Sequence, residues 1–171
     1  MKVVVSDSSP LNYLALLSDF DLLRQIYGTV VIPPAVYHEV VEKGAGYPVR
    51  EAVLAALGQW VILAEAPNPA MVQPLLKDHR LDLGEGEAIV VAEALGGVPL
   101  LMDERQGVRC ARLRGMTVIR TPMIYAEAKI LGLIESVREK FDGLRSKGFR
   151  LADRHYEQIL QEVAELQDSR Y

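Results

Sequence analysis

Val3-Val4-Val5-Ser6-Asp7, near the start of the chain, is an apolar, β-branched run that ends at a carboxylate. A run this apolar predicts a strand buried on both faces, as in a parallel sheet, rather than a surface helix. A second apolar run, Val98-Pro99-Leu100-Leu101-Met102, leads in the same way to Asp103-Glu104. The carboxyl ends of parallel strands open onto the crevice where ligands bind. Acids at two such ends predict a site for a hard cation such as Mg²⁺ or Mn²⁺.

The rest of the chain alternates strand and helix patterns, which indicates βαβ units and a parallel α/β sheet in one domain. Strands are predicted at residues 3–5, 29–32, 60–63, 98–102 and 117–119. Helices are predicted at about residues 10–17, 19–28, 34–42, 49–57, 83–95, 106–114, 123–130, 133–146 and 153–167. Ser9 and Pro10 are expected at the N-cap and first turn of the first helix. Residues 64–81, which contain three prolines, are expected to stay irregular.

Composition narrows the class of protein. The 171 residues suffice for one domain with a single core. A single cysteine, Cys110, excludes an internal disulfide framework and a cysteine-rich zinc site. No apolar run reaches the roughly 20 residues of a membrane span, and no signal peptide is visible. A cytoplasmic protein without membrane contact is the expectation.

The charges are distributed unevenly along the chain. Residues 1–104 carry 6 basic and 14 acidic side chains, whereas residues 105–154 carry 12 basic and 5 acidic ones. Such an asymmetry suits a metal site beside a groove for a polyanion. The alternative is that the arginines of residues 105–114 form the solvated face of one helix.

Two further acids complete a candidate set with Asp7 and Asp103. Glu39 lies in the helix after the second strand, and Glu87 enters an almost wholly apolar helical run. A carboxylate at the rim of such a helix either has a raised pKa or binds a cation. Three or four carboxylates from separate elements would hold one or two divalent ions.

Some of these acids also have a purely structural interpretation, whereas Glu87 has no basic partner at i, i+4, which favours a functional role. Asp7 would cap the turn before Pro10, and Glu39 would pair with Lys43 at i, i+4. Glu85 completes a capping box with Asp82, so a structural role is favoured there. Asp103 and Glu104 compete for one role, and Asp103 is preferred because it is nearer the strand end.

Several motifs along nearly the whole chain resemble those of PIN-domain proteins, and more narrowly of a prokaryotic VapC-like family. The matching segments are Val5-Ser6-Asp7-Ser8-Ser9-Pro10-Leu11, Ile32-Pro33-Pro34-Ala35-Val36-Tyr37-His38-Glu39-Val40, Leu81-Asp82-Leu83-Gly84-Glu85-Gly86-Glu87-Ala88-Ile89, Leu100-Leu101-Met102-Asp103-Glu104, Ala128-Lys129-Ile130-Leu131-Gly132-Leu133-Ile134 and Gly148-Phe149-Arg150-Leu151. The resemblance implies a three-layer αβα fold with a central parallel sheet of four to five strands.

The resemblance also implies an activity, that of a Mg²⁺- or Mn²⁺-dependent endoribonuclease, in many cases the toxin of a toxin–antitoxin pair. On the matching positions the implied catalytic residues are Asp7, Glu39, Glu87 and Asp103. The implied metal-binding set is Asp7, Glu87, Asp103 and Glu104. Auxiliary or nucleic-acid contacts are expected from Ser8, Thr121, Arg105 and Arg109. The expected partners are an RNA substrate, a small antitoxin protein and a second copy of the chain in a homodimer.

The chain departs from the family pattern in two places, and other functions stay open. After the last strand it reads Arg120-Thr121-Pro122-Met123, where related chains carry a small Gly/Ser/Thr-rich turn, and Glu87 stands where many PIN domains have aspartate. One alternative is a PIN-like module that binds RNA or protein without catalysis. Another is a receiver-like phosphoacceptor, which expects a lysine after the last strand that this segment lacks. The helices after residue 122 would pack on the domain or on a partner.

Overall fold

The computed structural model describes residues 2–168, which contain five strands and ten α-helices. The strands are β1 (Lys2–Ser6), β2 (Gly28–Ile32), β3 (Val61–Leu63), β4 (Leu100–Leu101) and β5 (Val118–Ile119). The helices are α1 (Ser8–Leu16), α2 (Leu22–Tyr27), α3 (Pro34–Tyr37), α4 (Pro48–Ala56), α5 (Val72–His79), α6 (Leu83–Ala94), α7 (Arg105–Leu113), α8 (Thr121–Ile130), α9 (Val137–Ser146) and α10 (Asp153–Asp168). A π-helical turn, His38–Glu42, follows α3, and a 3₁₀ turn, Pro69–Met71, precedes α5.

The five strands form one parallel sheet in the order β3-β2-β1-β4-β5, which confirms the predicted α/β fold class. Val5 of β1 lies in register with Val31 of β2 on one side and with Leu100 of β4 on the other. The chain runs outward from β1 through β2 to β3 and then returns to β4, beside β1. The strand order therefore reverses between β1 and β4, where the carboxyl ends of an open sheet form a ligand-binding crevice.

Helices cover both faces of the sheet, as expected of a three-layer arrangement. On one face, apolar residues of α5, α6 and α7 pack in a single cluster with Val5, Val31, Leu100 and Met102. Side chains alternate along a strand, so Val4 points to the opposite face, and it is fully buried. Crossovers between parallel strands are right-handed, and a sheet that extends in both directions from β1 thus acquires helices on both faces.

Two sequence expectations about helices were wrong. Residues 64–81 are not irregular throughout, because α5 spans Val72–His79. Pro74 falls in the first turn of α5, where its missing N–H has no intrahelical partner to lose. The first helix begins at Ser8, with Asp7 rather than Ser9 as the N-cap residue.

The chain divides into two compact units after Arg120. The first unit contains the complete sheet, and the second contains α8, α9 and α10. In the second unit the Phe141 and Tyr156 rings meet edge to face at 5.3 Å, which joins α9 to α10. The expectation that the C-terminal helices pack on the domain or on a partner stays a prediction. No helix among residues 2–168 has the length and apolar character needed to cross a membrane.

Candidate active site

Asp7 lies at the carboxyl end of β1, where the strand passes into α1. Its backbone is extended, with φ −77° and ψ 173°, and its amide donates to the carbonyl oxygen of Leu101 at 2.9 Å. That bond joins the end of β1 to the end of β4. Only 5% of Asp7 is exposed, and its side chain makes no capping hydrogen bond to α1. The carboxylate is therefore buried at the reversal point of the sheet without serving as a helix cap.

The surroundings of Asp7 favour its neutral form. Burial raises the pKa of Asp7 from 3.8 to about 8, and the negative charges of Asp82, Glu85 and Glu39 add to the rise. The backbone amide of Ser8 partly offsets it. A buried acid that faces other acids is stabilised either by a proton or by a cation. This position is therefore favourable for positive charge.

Two serines that follow Asp7 hold acids from other elements. The Ser8 hydroxyl donates to Glu39 Oε2 at 2.7 Å, and the Ser9 hydroxyl donates to Asp103 Oδ2 at 3.0 Å. Ser8 and Ser9 thus link the segment after Asp7 to the π-helical turn on one side and to the segment after β4 on the other. Glu39 bonds to Ser8 rather than forming the ion pair with Lys43 that the sequence allowed.

Glu39 belongs to the π-helical turn His38–Glu42. Single π turns within helices occur often at functional sites, because the extra residue redirects the side chains around it. The turn also pairs His38 Nδ1 with Glu42 Oε2 at the surface. Glu39 itself is exposed, and its hydrogen bond from Ser8 ties it to the buried Asp7 segment.

The amino end of α6 carries the predicted capping box and a deeply buried acid. The Glu85 amide donates to Asp82 Oδ1 at 2.8 Å, and the Asp82 amide donates to Glu85 Oε2 at 2.9 Å. Glu85 is 3% exposed, and its second oxygen, Oε1, is buried without a hydrogen-bond partner. Burial raises the pKa of Glu85 from 4.5 to about 7, and the charges of Asp82 and Glu104 add to the rise.

Glu87, one turn into α6, is turned toward another helix. Its Oε2 accepts a hydrogen bond from the Ala35 amide at 2.8 Å, in the first turn of α3. A carboxylate is stabilised at the positive end of a helix, so Glu87 also caps α3. Glu87 is half-buried, and its partner lies just before the turn that carries Glu39.

Asp103 and Glu104 differ in their surroundings although they are adjacent. Asp103 is 8% exposed and accepts from Ser9, whereas Glu104 is exposed and caps α7, its Oε1 accepting from the Arg105 amide at 3.3 Å. These contacts favour Asp103 as the acid that belongs with Asp7. Glu104 remains close enough to Glu85 to raise its pKa.

The auxiliary residues lie in two different units. Arg105 and Arg109 are exposed on α7, in the unit that holds the sheet. Thr121 is the buried first residue of α8, in the second unit. Ser8 is buried beside Asp7 and has the contact described above.

The comparison with known families agrees with this geometry. A family described as a PIN domain matches the chain over residues 3–165. The chain belongs to the PIN-domain family. The resemblance inferred from the sequence motifs is thereby confirmed at the level of the superfamily, and the narrower VapC-like assignment stays a prediction. No curated protein and no solved structure matches the chain. PIN domains are typically nucleases and generally use divalent metal ions.

The donor atoms of this PIN domain suit a hard divalent cation. All are carboxylate oxygens, which Mg²⁺ and Mn²⁺ prefer. Gly84 leaves space beside them, since a Cβ on this residue would stand 3.4 Å from Asp7 Oδ1 and 3.4 Å from Asp82 Oδ1. Glu85, whose Oε1 is buried without a hydrogen-bond partner, adds a further carboxylate whose charge acts on Asp7. By type, burial and charge, the residues of the site fit such a cation.

The acids of the PIN domain are nevertheless not gathered around one point. Among residues 2–168, no three His, Cys, Asp or Glu side chains are placed to hold a metal ion. Three of the candidate carboxylates are instead held by hydrogen-bond donors from Ser8, Ser9 and the Ala35 amide. The structure therefore brings Asp7 near Glu39 and links Asp103 to the same segment, while Glu87 turns toward α3.

Sequence reasoning missed two contributions to this PIN-domain site. Asp82 was assigned only a capping role, yet its charge is the largest acidic influence on Asp7. Ser9 was assigned to the N-cap, yet its hydroxyl holds Asp103. Asp82 could have been added to the candidate acids from the sequence, because it stands at the start of the helix that also carries Glu87. The contact of Ser9 had no local signal, because Ser9 and Asp103 are 94 positions apart.

Proposed function

We propose that this PIN domain is an endoribonuclease that uses Mg²⁺ or Mn²⁺ to hydrolyse phosphodiester bonds. The observation that carries the proposal is the buried Asp7 carboxylate at the point where the strand order reverses, with a pKa raised to about 8 by burial and by neighbouring acids. A carboxylate cluster of this kind is stable when a cation neutralises it. The typical nuclease activity of PIN domains supports the same function.

In the proposed mechanism, the chain supplies the cation site and orients the reacting groups. Asp7, Glu87 and Asp103 would hold the cation, with Glu104 at its edge and Glu39 completing the acidic set. When bound, a divalent cation supplies charge neutralisation at the phosphate and a lowered pKa for water. Ser8 and Ser9 fix the orientation of Glu39 and Asp103 through their hydroxyl donors. Such fixed orientation matters because catalytic groups must be held to within about 0.5 Å.

A row of arginines supports a polyanionic substrate. Arg105, Arg109 and Arg112 recur at i, i+4 and i+7 on the exposed face of α7, and no guanidinium of the three forms an ion pair among the described residues. Like charges at this spacing destabilise a helix, and a cation in its first turn opposes the helix dipole. Among the described side chains the row has no favourable partner, and phosphate groups would supply one.

Arg114, which follows α7 directly, has a structural role because it is paired with an acid of the same chain. Its Nε lies 2.6 Å from Glu93 Oε1, and its second guanidinium nitrogen lies 2.9 Å from Glu93 Oε2. This two-bond pairing fixes the end of α7 to α6. The exposed row has no equivalent pair in the described part of the chain, which favours a role in binding the RNA backbone for Arg105 and Arg109.

The direct test compares RNA cleavage by the wild type and by Asp7→Asn in the presence of Mn²⁺. We expect the variant to lose about a thousandfold or more in kcat/KM, because metal-assisted charge stabilisation contributes several kcal/mol to the reaction. Asp78→Asn is the matched control, since Asp78 is an exposed residue of α5. A wild type that fails to cleave RNA with either Mg²⁺ or Mn²⁺ contradicts the proposal.

The proposed biological setting is the toxin half of a toxin–antitoxin pair, with a small antitoxin and a homodimer as partners and a cytoplasmic location. The support is the motif resemblance to VapC-like chains described above. Expression of the wild type in bacteria is expected to arrest growth, and Asp7→Asn is expected to relieve the arrest. Growth arrest that persists in the Asp7→Asn strain contradicts the assignment of toxicity to RNA cleavage.

A second candidate is a PIN module that binds RNA or protein without catalysis. The observation that favours it is the absence of three converging metal-binding side chains among residues 2–168. Thermal unfolding with added Mn²⁺ separates the two candidates. At a Mn²⁺ concentration of about 100 times Kd, a real site adds about 2.7 kcal/mol to the free energy of unfolding, a rise of roughly 5–10 °C in Tm for a chain of this size. No rise in Tm favours the inactive module.

A further inference from the structure

Glu85 occupies a place between the amino ends of two helices. Its Oε2 accepts from the Asp82 amide at the start of α6. Gly107, in the first turn of α7, lies against the same carboxylate, because a Cβ on Gly107 would stand 2.8 Å from Glu85 Oε1. Amides in a first turn have no intrahelical acceptor. One buried carboxyl group therefore lies between the first turns of both helices and is bonded to the amide that begins α6.

The second oxygen of Glu85 is not needed for capping. A capping box requires one acceptor, and glutamine serves in it as well as glutamate. Oε1 is nevertheless retained in a buried position without a geometrically satisfactory hydrogen bond. Burying a polar atom in this way is unfavourable. The carboxylate is thus better matched to a second role than to the capping of α6 alone.

Gly107 is fitted closely against Glu85 and against the residue that precedes the site acids. A Cβ on Gly107 would stand 2.4 Å from Met102 Sδ and 2.8 Å from Glu85 Oε1. Any side chain there would force Met102 or Glu85 to move. Met102 is fully buried and leads directly into Asp103. Glu85, Gly107 and Met102 therefore form one packed contact beneath the turn that carries Asp103 and Glu104.

We infer that Glu85 is a positioning residue that fixes the turn of Asp103 and Glu104 relative to α6. The helix α6 carries Glu87, so the contact with Gly107 sets the spacing between acids on separate elements. The effect on metal binding rests on the proposed function, whereas the effect on the position of the turn does not. This role differs from the capping role that Glu85 also fills through Oε2.

The test uses two variants that disturb the contact from opposite sides. Glu85→Gln keeps one acceptor for the Asp82 amide and replaces Oε1, the oxygen next to Gly107, with an amide nitrogen. Gly107→Ala keeps the carboxylate and crowds it. Glu65→Gln is the matched control, because it makes the same substitution at an exposed residue between β3 and α5, outside both α6 and α7. Crystal structures of the full chain, with and without Mn²⁺, report the position of residues 102–107.

In both variants we expect residues 102–107 to shift by more than about 0.5 Å, the tolerance of a preorganised site. The Kd for Mn²⁺ alone, from its effect on Tm, is expected to rise about 10- to 100-fold, as for other groups that orient metal ligands. RNA cleavage should lose kcat with KM unchanged, as when the bound substrate is misaligned with the reacting groups. The double variant should lose less than the product of the two single effects, because both act on one contact.

Two outcomes overturn the inference. If residues 102–107 stay in place in both variants, Glu85 only caps α6, whatever the activity. If Glu85→Gln weakens Mn²⁺ binding no more than Glu65→Gln does, while the wild type binds Mn²⁺, the contact does not position the acids. Failure of the proposed function is distinguishable: the wild type would neither bind Mn²⁺ nor cleave RNA, while the turn would still shift in the variants and support the positioning role.

Discussion

The turns after β1 and after β4 end neighbouring strands, and both place acids at the same edge of the sheet, yet they do so differently. The first turn is buried: Asp7 is surrounded by acidic charge, and the serines after it hold carboxylates from other elements. The second turn divides its residues between two environments, with Asp103 buried and Glu104 exposed at the start of the arginine-rich α7. The comparison separates an acidic centre from the basic face beside it.

The largest expected effect is on RNA cleavage, and it distinguishes the roles of Asp103 and Glu104 in the second turn. Asp103→Asn should lower kcat/KM for RNA by about a thousandfold, because it removes a proposed cation ligand worth several kcal/mol. Glu104→Gln should leave most of the activity, because an amide oxygen still accepts the capping bond from the Arg105 amide. Single-turnover cleavage by the two variants measures the difference. A larger loss for Glu104→Gln than for Asp103→Asn would mean that Glu104, and not Asp103, is the cation ligand.

The second effect is on stability and concerns the first turn. Because the pKa of Asp7 is raised from 3.8 to about 8, the folded chain binds a proton more tightly than the unfolded chain does. The contribution of Asp7 to the free energy of unfolding is therefore present at low pH and is lost as pH rises from about 4 to about 8. Asp7→Asn removes this dependence. Relative to wild type, the variant should gain up to about 1.4 kcal/mol per pH unit across that interval.

Urea unfolding at several pH values, with a chelator present, measures this gain. The raised pKa of Glu85 acts with the same sign up to about pH 7. Glu85 is present in both proteins, so the difference between them reports Asp7 together with its charge coupling to Glu85. Parallel stability curves for the two proteins would mean that Asp7 is not an unfavourably buried charge. Excess Mn²⁺ should reverse the order by stabilising only the wild type.

A third effect, of about tenfold, concerns the serines that join the two turns. Ser9→Ala removes the donor to Asp103, and Ser8→Ala removes the donor to Glu39. A hydrogen bond to a charged group contributes about 1.5–3 kcal/mol, of which solvent at a partly exposed site recovers a share. We expect each variant to lose about tenfold in kcat. Ser146→Ala, which affects a hydroxyl of α9 bonded to a backbone carbonyl, is the control.

Equal losses in Ser8→Ala and Ser9→Ala would indicate that Glu39 and Asp103 contribute alike. Loss in Ser9→Ala alone would restrict the acidic centre to Asp7, Asp103 and the acids of α6. Unchanged kcat in both variants would contradict the view that the serines orient the acids. In that case their bonds would contribute only to folding, and the urea midpoints of the two variants would fall instead.

The fold was predictable from the sequence because its signals are local. β-branched runs such as residues 3–5 identify buried strands, and the acids that follow them must lie at one edge of a parallel sheet. That argument predicts that Asp7 and Asp103 lie near each other. The helix α5 was missed because three prolines suggested an irregular segment, although Pro74 is tolerated in a first turn.

The electrostatic surroundings of the site were less predictable, because they depend on how distant elements pack. The nearness of Asp82 and Glu85 to Asp7 requires the amino end of α6 to pack beside β1. The Ala35 amide that binds Glu87 comes from α3, 52 positions earlier. No periodicity or capping pattern encodes such contacts. The candidate residue types were therefore accessible from sequence, while their hydrogen-bond partners were not.

The smallest expected effect is on the salt dependence of RNA binding, and it tests the role of the arginines of α7. Each arginine of α7 that contacts a phosphate should contribute about 0.7 to the slope of log Kd against log salt for single-stranded RNA. Arg105→Ala and Arg109→Ala, each made in Asp7→Asn to prevent cleavage, should lower the slope by that amount. Between 50 and 200 mM salt this corresponds to only about a two- to threefold difference in affinity.

Arg24→Ala is the control for this measurement, because it makes the same change in net charge on an exposed helix outside α7. Arg24 bonds to Asp21 through Nε at 2.8 Å, so it already has a partner within the chain. A slope that falls equally in the Arg24 and Arg109 variants would mean that RNA responds only to net charge. A slope that falls only in the Arg105 and Arg109 variants would indicate that the RNA backbone binds to the exposed face of α7, the helix that begins close to Asp103.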